Sequence, residues 1–290
     1  MRYICYNWFP IIADHCLDCE EAGYRQAGVS RLHDKILIPS RVLDNETVFV
    51  KSDFIYSGLF QREVLPKIEK RFTLISGVSA LAVGDGAPIH SILENDLVEH
   101  WFCTNPPVLE DRLPSKVIPL PIGFEEKERE GGNQRVIHSR RFERIPFEEK
   151  KDRILLPHHN FGTNRGRQNL FERLANLDFV DTQENKLPWE EYIKLVDRYK
   201  FVVGLEGAGP DIHRNYDALL VDTIPINKCN IIEKLFDFHK IPGIFIESWD
   251  NLDADRFEKI LSLDHDFKKS GEFLHIDYHK RLVEKFKSRG

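Results

Sequence analysis

Short unbroken apolar runs and longer stretches with helical spacing alternate along this chain. Residues 47–51, Thr-Val-Phe-Val-Lys, lie between Asp44-Asn45 and Ser52-Asp53 and predict a strand. Leu59, Phe60, Val64, Leu65 and Ile68 recur at the spacing of an amphipathic helix over 59–70. Further strands are predicted at 72–75, 100–104 and 116–123. A first strand is expected at 2–6, before a polar loop holding Asn7, Asp14 and His15. From 125 to 151 the chain is crowded with charge and contains Gly131-Gly132, the composition of a solvated hinge. Beyond it, apolar runs at 154–156, 201–203, 223–226 and 243–246 alternate with helical patterns at 168–177, 189–199, 213–220, 231–238, 251–263 and 273–288. Strands alternating with helices indicate mostly parallel sheets. The expected organisation is two α/β domains, 1–145 and 146–265, followed by a C-terminal helical segment, 266–290.

The stretch 201–226 carries the most local information. A buried-strand run, Phe201-Val202-Val203, leads into a glycine turn, Gly204 to Pro210, and then a helix opening on His213-Arg214 with Asp217 one turn further. Such a unit presents backbone N–H groups at a helix start, where a phosphate can sit. An ordinary βαβ connection has the same outline, so the other loops must be weighed with it.

In open parallel sheets, ligands bind in the loops after the strand carboxyl ends. In the second domain this rule collects Asn160, Gly162 and Arg165 from one loop and Glu206, Gly207, Gly209, His213 and Arg214 from another. Glycines allow close backbone approach, the arginines offer forked donors to phosphate oxygens, and Asp217 is spaced to reach ribose hydroxyls. In the first domain the rule collects Asp14, His15, Asp53, Tyr56, Ser76, Asp85 and Asn105.

Composition narrows the classes. With 41% apolar and 30% charged residues the chain can build a core and is not of disordered type. A net charge of −6 with dispersed basic residues argues against nucleic acid as a partner. No apolar run reaches the roughly 20 residues of a membrane span, and the N-terminal residues lack a signal-peptide pattern. The five cysteines are scattered; Cys16 and Cys19 form a CxxC with no second ligand pair, which reads as free thiols in a reducing compartment.

Taken together, Phe201, Gly207, His213-Arg214, Asp217-Ala218-Leu219 and Ile224-Pro225-Ile226 resemble the C-terminal signature of the exostosin-like glycosyltransferases. Trp101-Phe102, Asn105 and the segment 116–123 are similar to that family's strand, asparagine and Pro-Ile-Gly segment. The likeness is dense over 154–226 and sparse elsewhere. Two positions depart from it: Asp217 stands where the family has Glu, and Asp222-Thr223 stand where it has a glycine. The resemblance implies a GT-B fold, two Rossmann-like domains facing a central cleft with a C-terminal helix crossing back. It implies a nucleotide-sugar donor, a UDP-sugar, on the second domain and a glycan acceptor on the first, with no metal or other cofactor. An inverting member of the family needs a general base, for which Asp14, His15, Asp53 and Asp85 are the candidates. Asp85 is preferred, because Gly84 and Gly86 let its loop come close to a substrate, with Asp14 second; each is more often a loop or capping residue. Asp264-His265-Asp266 is formally D-x-D but falls between two helices, outside a donor loop. Family members are commonly membrane-anchored; this chain reads as a cytoplasmic protein or as a soluble catalytic fragment. Two other classes were weighed. A non-catalytic sugar- or nucleotide-binding protein on the same scaffold accommodates the two departures. An NAD-dependent oxidoreductase is disfavoured, because neither glycine turn follows GxGxxG.

Overall fold

The structure, a computed structural model, describes residues 2–18, 35–79, 89–126, 128–164 and 166–288. The chain divides into two compact units, Ile4–Ile122 with Ile276–Gly290, and Met1–Tyr3 with Gly123–His275. The division falls at Ile122/Gly123 and not near 145.

The first unit is built from α1 (Phe9–Ile12), β1 (His15–Leu17), β2 (Glu46–Lys51), α2 (Ser52–Tyr56), β3 (Phe72–Gly77), α3 (His90–Leu93), β4 (Val98–Thr104) and β5 (Val117–Leu120). Its five strands are parallel and lie in chain order, β1-β2-β3-β4-β5. The unbroken apolar runs reflect burial on both faces: Val48, Val50, Leu74, Trp101 and Cys103 join one cluster, while Phe102 on the other face meets Phe286. Residues 2–6 do not form the expected strand; Tyr3 makes only an isolated antiparallel bridge to His275. The helix expected at 59–70 is instead a π-turn, Phe60–Val64, followed by a 3₁₀ turn, Leu65–Lys67, with Pro66 removing an amide donor.

The second unit comprises α4 (Gln134–Phe142), β6 (Lys151–Leu156), α5 (Arg167–Ala175), β7 (Val180–Thr182), α6 (Trp189–Val196), β8 (Tyr199–Val203), α7 (His213–Leu220), β9 (Ile224–Lys228), α8 (Ile231–His239), β10 (Ile244–Ile246), α9 (Ala254–Leu261) and α10 (Lys268–Phe273). The final helix, α11 (Ile276–Lys287), belongs to the first unit, where His279 meets Phe9 and Phe286 meets His100. The strands of the second sheet are parallel in the order β7-β6-β8-β9-β10. The order reverses direction between β6 and β8, so the connections leaving those two strands diverge and open a crevice at their carboxyl ends. Among the described residues the strands of the first sheet lie in sequence order, without such a switch point.

The charged stretch 125–151 is not a solvated hinge. Asn133 caps α4 through the amides of Arg135 and Val136, and Gly131 and Gly132 are buried. A side chain at Gly132 would overlap the Glu126 carbonyl, its Cβ falling 2.0 Å from the oxygen. The buried Lys150 donates to Asp197 Oδ1 at 2.7 Å and to the carbonyls of Val221 and Asp197 at 2.6 and 2.9 Å. Asp222 adopts φ 53°, and its carboxylate is paired with Arg141 and Arg144. Glycine would hold that backbone without strain, which costs an L-residue about 1–2 kcal/mol; the two ion pairs offset this cost. Asp222→Ala keeps the strain and loses both pairs, and is expected to lower the urea-unfolding free energy by about 2–3 kcal/mol. Asp222→Gly relieves the strain and should lose about 1 kcal/mol less.

Candidate functional site

The crevice between β6 and β8 is walled by residues 157–166 and 204–212. The first wall is shaped by two short side-chain-to-backbone bonds, Gly162 N–H to Asn160 Oδ1 and Gly166 N–H to Asn164 Oδ1, both at 3.0 Å. Asn and Asp favour such turns because their side chains reach the backbone two residues on. Asn160 therefore shapes its loop with its side chain and lends its carbonyl to Arg167. In the second wall, Asp211 accepts from its neighbour's amide, from Asn215 Nδ2 at 3.3 Å and from the Tyr216 hydroxyl.

Arg167 joins the two walls. Its guanidinium is almost wholly buried and donates to the Glu206 and Leu205 carbonyls, each at 2.6 Å, and to the Asn160 carbonyl at 3.0 Å. Gly207 allows that approach, since a Cβ there would sit 3.2 Å from Arg167 Nη2. Burial and then the neighbouring Arg214 charge lower Arg167 to about 10, with Glu206 opposing. It remains cationic at neutral pH. Two mutually repelling guanidinium groups in one crevice favour an anion between or beside them.

Arg214, the second residue of α7, is aimed by two anchors. One Nη2 hydrogen is donated to the His158 carbonyl, and the guanidinium carbon lies 5.6 Å from the centre of the Tyr192 ring. Its Nη1 is buried without a hydrogen-bond partner among the described residues. His159 Nε2 and the Tyr192 hydroxyl, both close enough to feel the Arg214 charge, share that condition among the described residues, and burial pushes the ionisation of the hydroxyl up. An unpartnered buried polar group costs about 1–3 kcal/mol, so three from three elements around one arginine mark a place that takes a ligand or ordered water. The start of α7 adds to this. Its N-cap position is Ile212, with no side-chain cap, whereas Asn230 caps α8 and Asp253 caps α9.

His213 turns its Nδ1 toward the Gly123 carbonyl at 2.7 Å, and burial holds its pKa below the usual range, so the ring is neutral. Asp217 is buried, and Oδ1 accepts from Trp189 Nε1 at 3.1 Å. Burial raises its carboxyl to about 7, with Glu125 adding and the Trp189 N–H and Arg214 opposing. Glu206 carries its carboxylate to Asn230 Nδ2, the cap of α8. The Gly207 amide donates to the Gly209 carbonyl at 3.2 Å, which closes that turn.

Of the residues expected at the site, Arg167 ties the Asn160 and Glu206 carbonyls together against Gly207, and the Arg214 charge acts on Asp217; Gly162, Gly209 and His213 are in these same segments with their own partners, and Arg165 lies outside the described residues. Sequence reasoning missed Arg167, His159, Tyr192 and Trp189. Arg167 stands two residues beyond Arg165 in the same loop, and its position as the first residue of α5 was the available signal. Tyr192 and Trp189 occupy one face of α6, three residues apart, where spacing reads them only as core.

Two of the candidate bases have partners within the first unit. Asp14 accepts from the Thr47 amide and hydroxyl, both at 2.8 Å, and lies 3.8 Å from Lys287 Nζ. Burial alone would raise its carboxyl, but the Thr47 donors outweigh that and hold it low. His15 pairs with Glu46 at 2.7 Å. Both stand at the amino ends of β1 and β2, opposite the edge where ligands bind. Asp85 lies outside the described residues, as does Cys19 of the CxxC. Ser76 is a core residue, accepting from Trp101 Nε1 at 2.9 Å.

Comparison with protein-family models and with curated proteins returns no match for this chain. Among the described residues no helix is long and apolar enough to cross a membrane, and no group of three or more His, Cys, Asp or Glu is placed to hold a metal ion. What the fold defines on its own is a mixed α/β protein with two five-stranded parallel sheets of Rossmann-like character.

Proposed function

We propose that this protein is a glycosyltransferase of GT-B type that moves a sugar from a nucleotide diphosphate donor, a UDP-sugar by resemblance, to a carbohydrate hydroxyl. The observation that carries the reading is Arg214: anchored by the His158 carbonyl and the Tyr192 ring, it keeps a buried Nη1 unpartnered at the β6/β8 switch point. The diphosphate would lie against that guanidinium and the uncapped start of α7, with Gly207 and Gly209 admitting it. Its departure as a leaving group would be favoured by these fixed positive groups instead of a metal. Asp217 would face the ribose with the carboxylate oxygen that Trp189 does not hold. Asp85 is kept as the preferred general base, with Asp14 and His15 engaged by Thr47 and Glu46.

Calorimetric titration with UDP and GDP tests the reading; binding of neither sinks it. Arg214→Ala is expected to weaken the nucleotide that binds by about 10- to 100-fold, the worth of charge-assisted hydrogen bonds to phosphate. Arg214→Lys should restore little, because one ammonium cannot keep both anchors and reach the phosphate. The alternative, a nucleotide-binding protein without catalysis, draws on the burial of Asp217 against Trp189. Slow release of free sugar from the bound donor, without acceptor, separates the enzyme from the binder.

A further inference from the structure

His159 is 1% exposed, at the carboxyl end of β6. Its Nδ1 lies 2.6 Å from the Pro157 carbonyl, which can only accept, so Nδ1 carries the hydrogen and Nε2 is a bare lone pair. Burial, then the charges of Arg214 and Arg167, push its pKa down to about 2. The ring therefore cannot take a second proton at working pH and turn Nε2 into a donor. Nε2 is buried with no partner among the described residues, and the same holds for Nη1 of the neighbouring Arg214. The two atoms belong to side chains near enough for the Arg214 charge to act on the His159 ring, and among the described residues neither has its partner. A ligand hydroxyl can donate to Nε2 while a neighbouring anionic oxygen accepts from Nη1. An ionised phosphate oxygen alone can only accept.

We infer that His159 reads a hydroxyl of the bound nucleotide sugar: its Nε2 accepts from a ligand O–H while Arg214 holds an adjacent phosphate oxygen. This rests on the donor-site reading above. The hydroxyl belongs either to the ribose or to the transferred sugar, both of which sit beside a diphosphate. Fixed as an acceptor, His159 selects ligands that bear that hydroxyl over analogues that lack it, because the analogue leaves the buried lone pair unmet.

The experiment uses the full chain and three probes: UDP, its 2′,3′-dideoxy counterpart, and UDP-glucose. His159→Asn keeps an N–H where Nδ1 stood, to serve the Pro157 carbonyl, but removes Nε2; its melting curve checks that the fold is retained. His159→Gln carries an amide oxygen toward the former Nε2 position. If the ribose supplies the hydroxyl, His159→Asn binds UDP about tenfold more weakly and dideoxy-UDP as tightly as wild type does. If the transferred sugar supplies it, only UDP-glucose weakens. In either case His159→Gln recovers part of the loss. Affinities for all three probes equal to wild type, or equal losses for all three, overturn the inference while leaving the donor site standing. Failure of the wild-type chain to bind any of them overturns the donor reading, and this inference with it.

Discussion

Arg167→Ala is expected to lower the free energy of unfolding by about 3–5 kcal/mol and to abolish nucleotide binding. The side chain holds three backbone carbonyls, two from the loop after β8 and one from the loop after β6. Removing it leaves those carbonyls without their charged donor in a nearly closed space, at about 1–3 kcal/mol for each that water cannot reach. It also opens a cavity under Gly207, whose close approach the guanidinium now fills. The two walls of the crevice would then no longer be tied at their base, and Arg214 would lose the fixed position of its His158 anchor. Arg167→Lys offers one ammonium for three divergent carbonyls and should recover less than half of the stability. A urea transition within 1 kcal/mol of wild type for the alanine variant would show that the loops are held by other means.

The site's location was legible in the sequence, because strand, glycine turn and helix are local features and the carboxyl-end rule needs only their order. Its working groups were less so. His159 and Tyr192 matter because specific atoms lack partners in the folded chain, a property that no spacing encodes. The hinge expected at 125–151 failed for a different reason. Linear charge density cannot tell solvated charges from internally neutralised ones, and Arg141, Arg144 and Lys150 find Asp222 and Asp197 from far along the chain. Asp14 and His15 were misplaced through register. With a first strand expected at 2–6 they read as its carboxyl-end loop, whereas His15 begins β1 opposite Val48. β7 was missed because its three residues, Val180–Thr182, include an aspartate and give no apolar run.

Asp217→Asn is expected to stabilise the protein at pH 8 and to cost it affinity for UDP. The carboxyl ionises near 7 in the folded chain, raised from an ordinary 3.8 by burial. A group whose folded pKa is raised gives its full stability below the unfolded pKa and loses it as pH rises through the folded one. For Asp217 that window runs from about pH 4 to about pH 7. Above it the buried charge costs on the order of 4 kcal/mol, at 1.36 kcal/mol per pH unit. Asparagine removes the charge, while its amide oxygen can still accept from Trp189. The two proteins should therefore unfold at similar urea concentrations near pH 4 and diverge up to about pH 7, with the variant ahead by a constant margin above that. Nothing in packing alone accounts for an ionisable group kept at such a cost beside an anion-seeking arginine; strain of this kind is retained where a site needs it. If the carboxylate serves the ribose, the more stable variant binds UDP more weakly, and the deficit grows as pH rises past 7. A variant less stable than wild type at pH 8 would show instead that the carboxyl is held ionised by its neighbours and that burial does not control it.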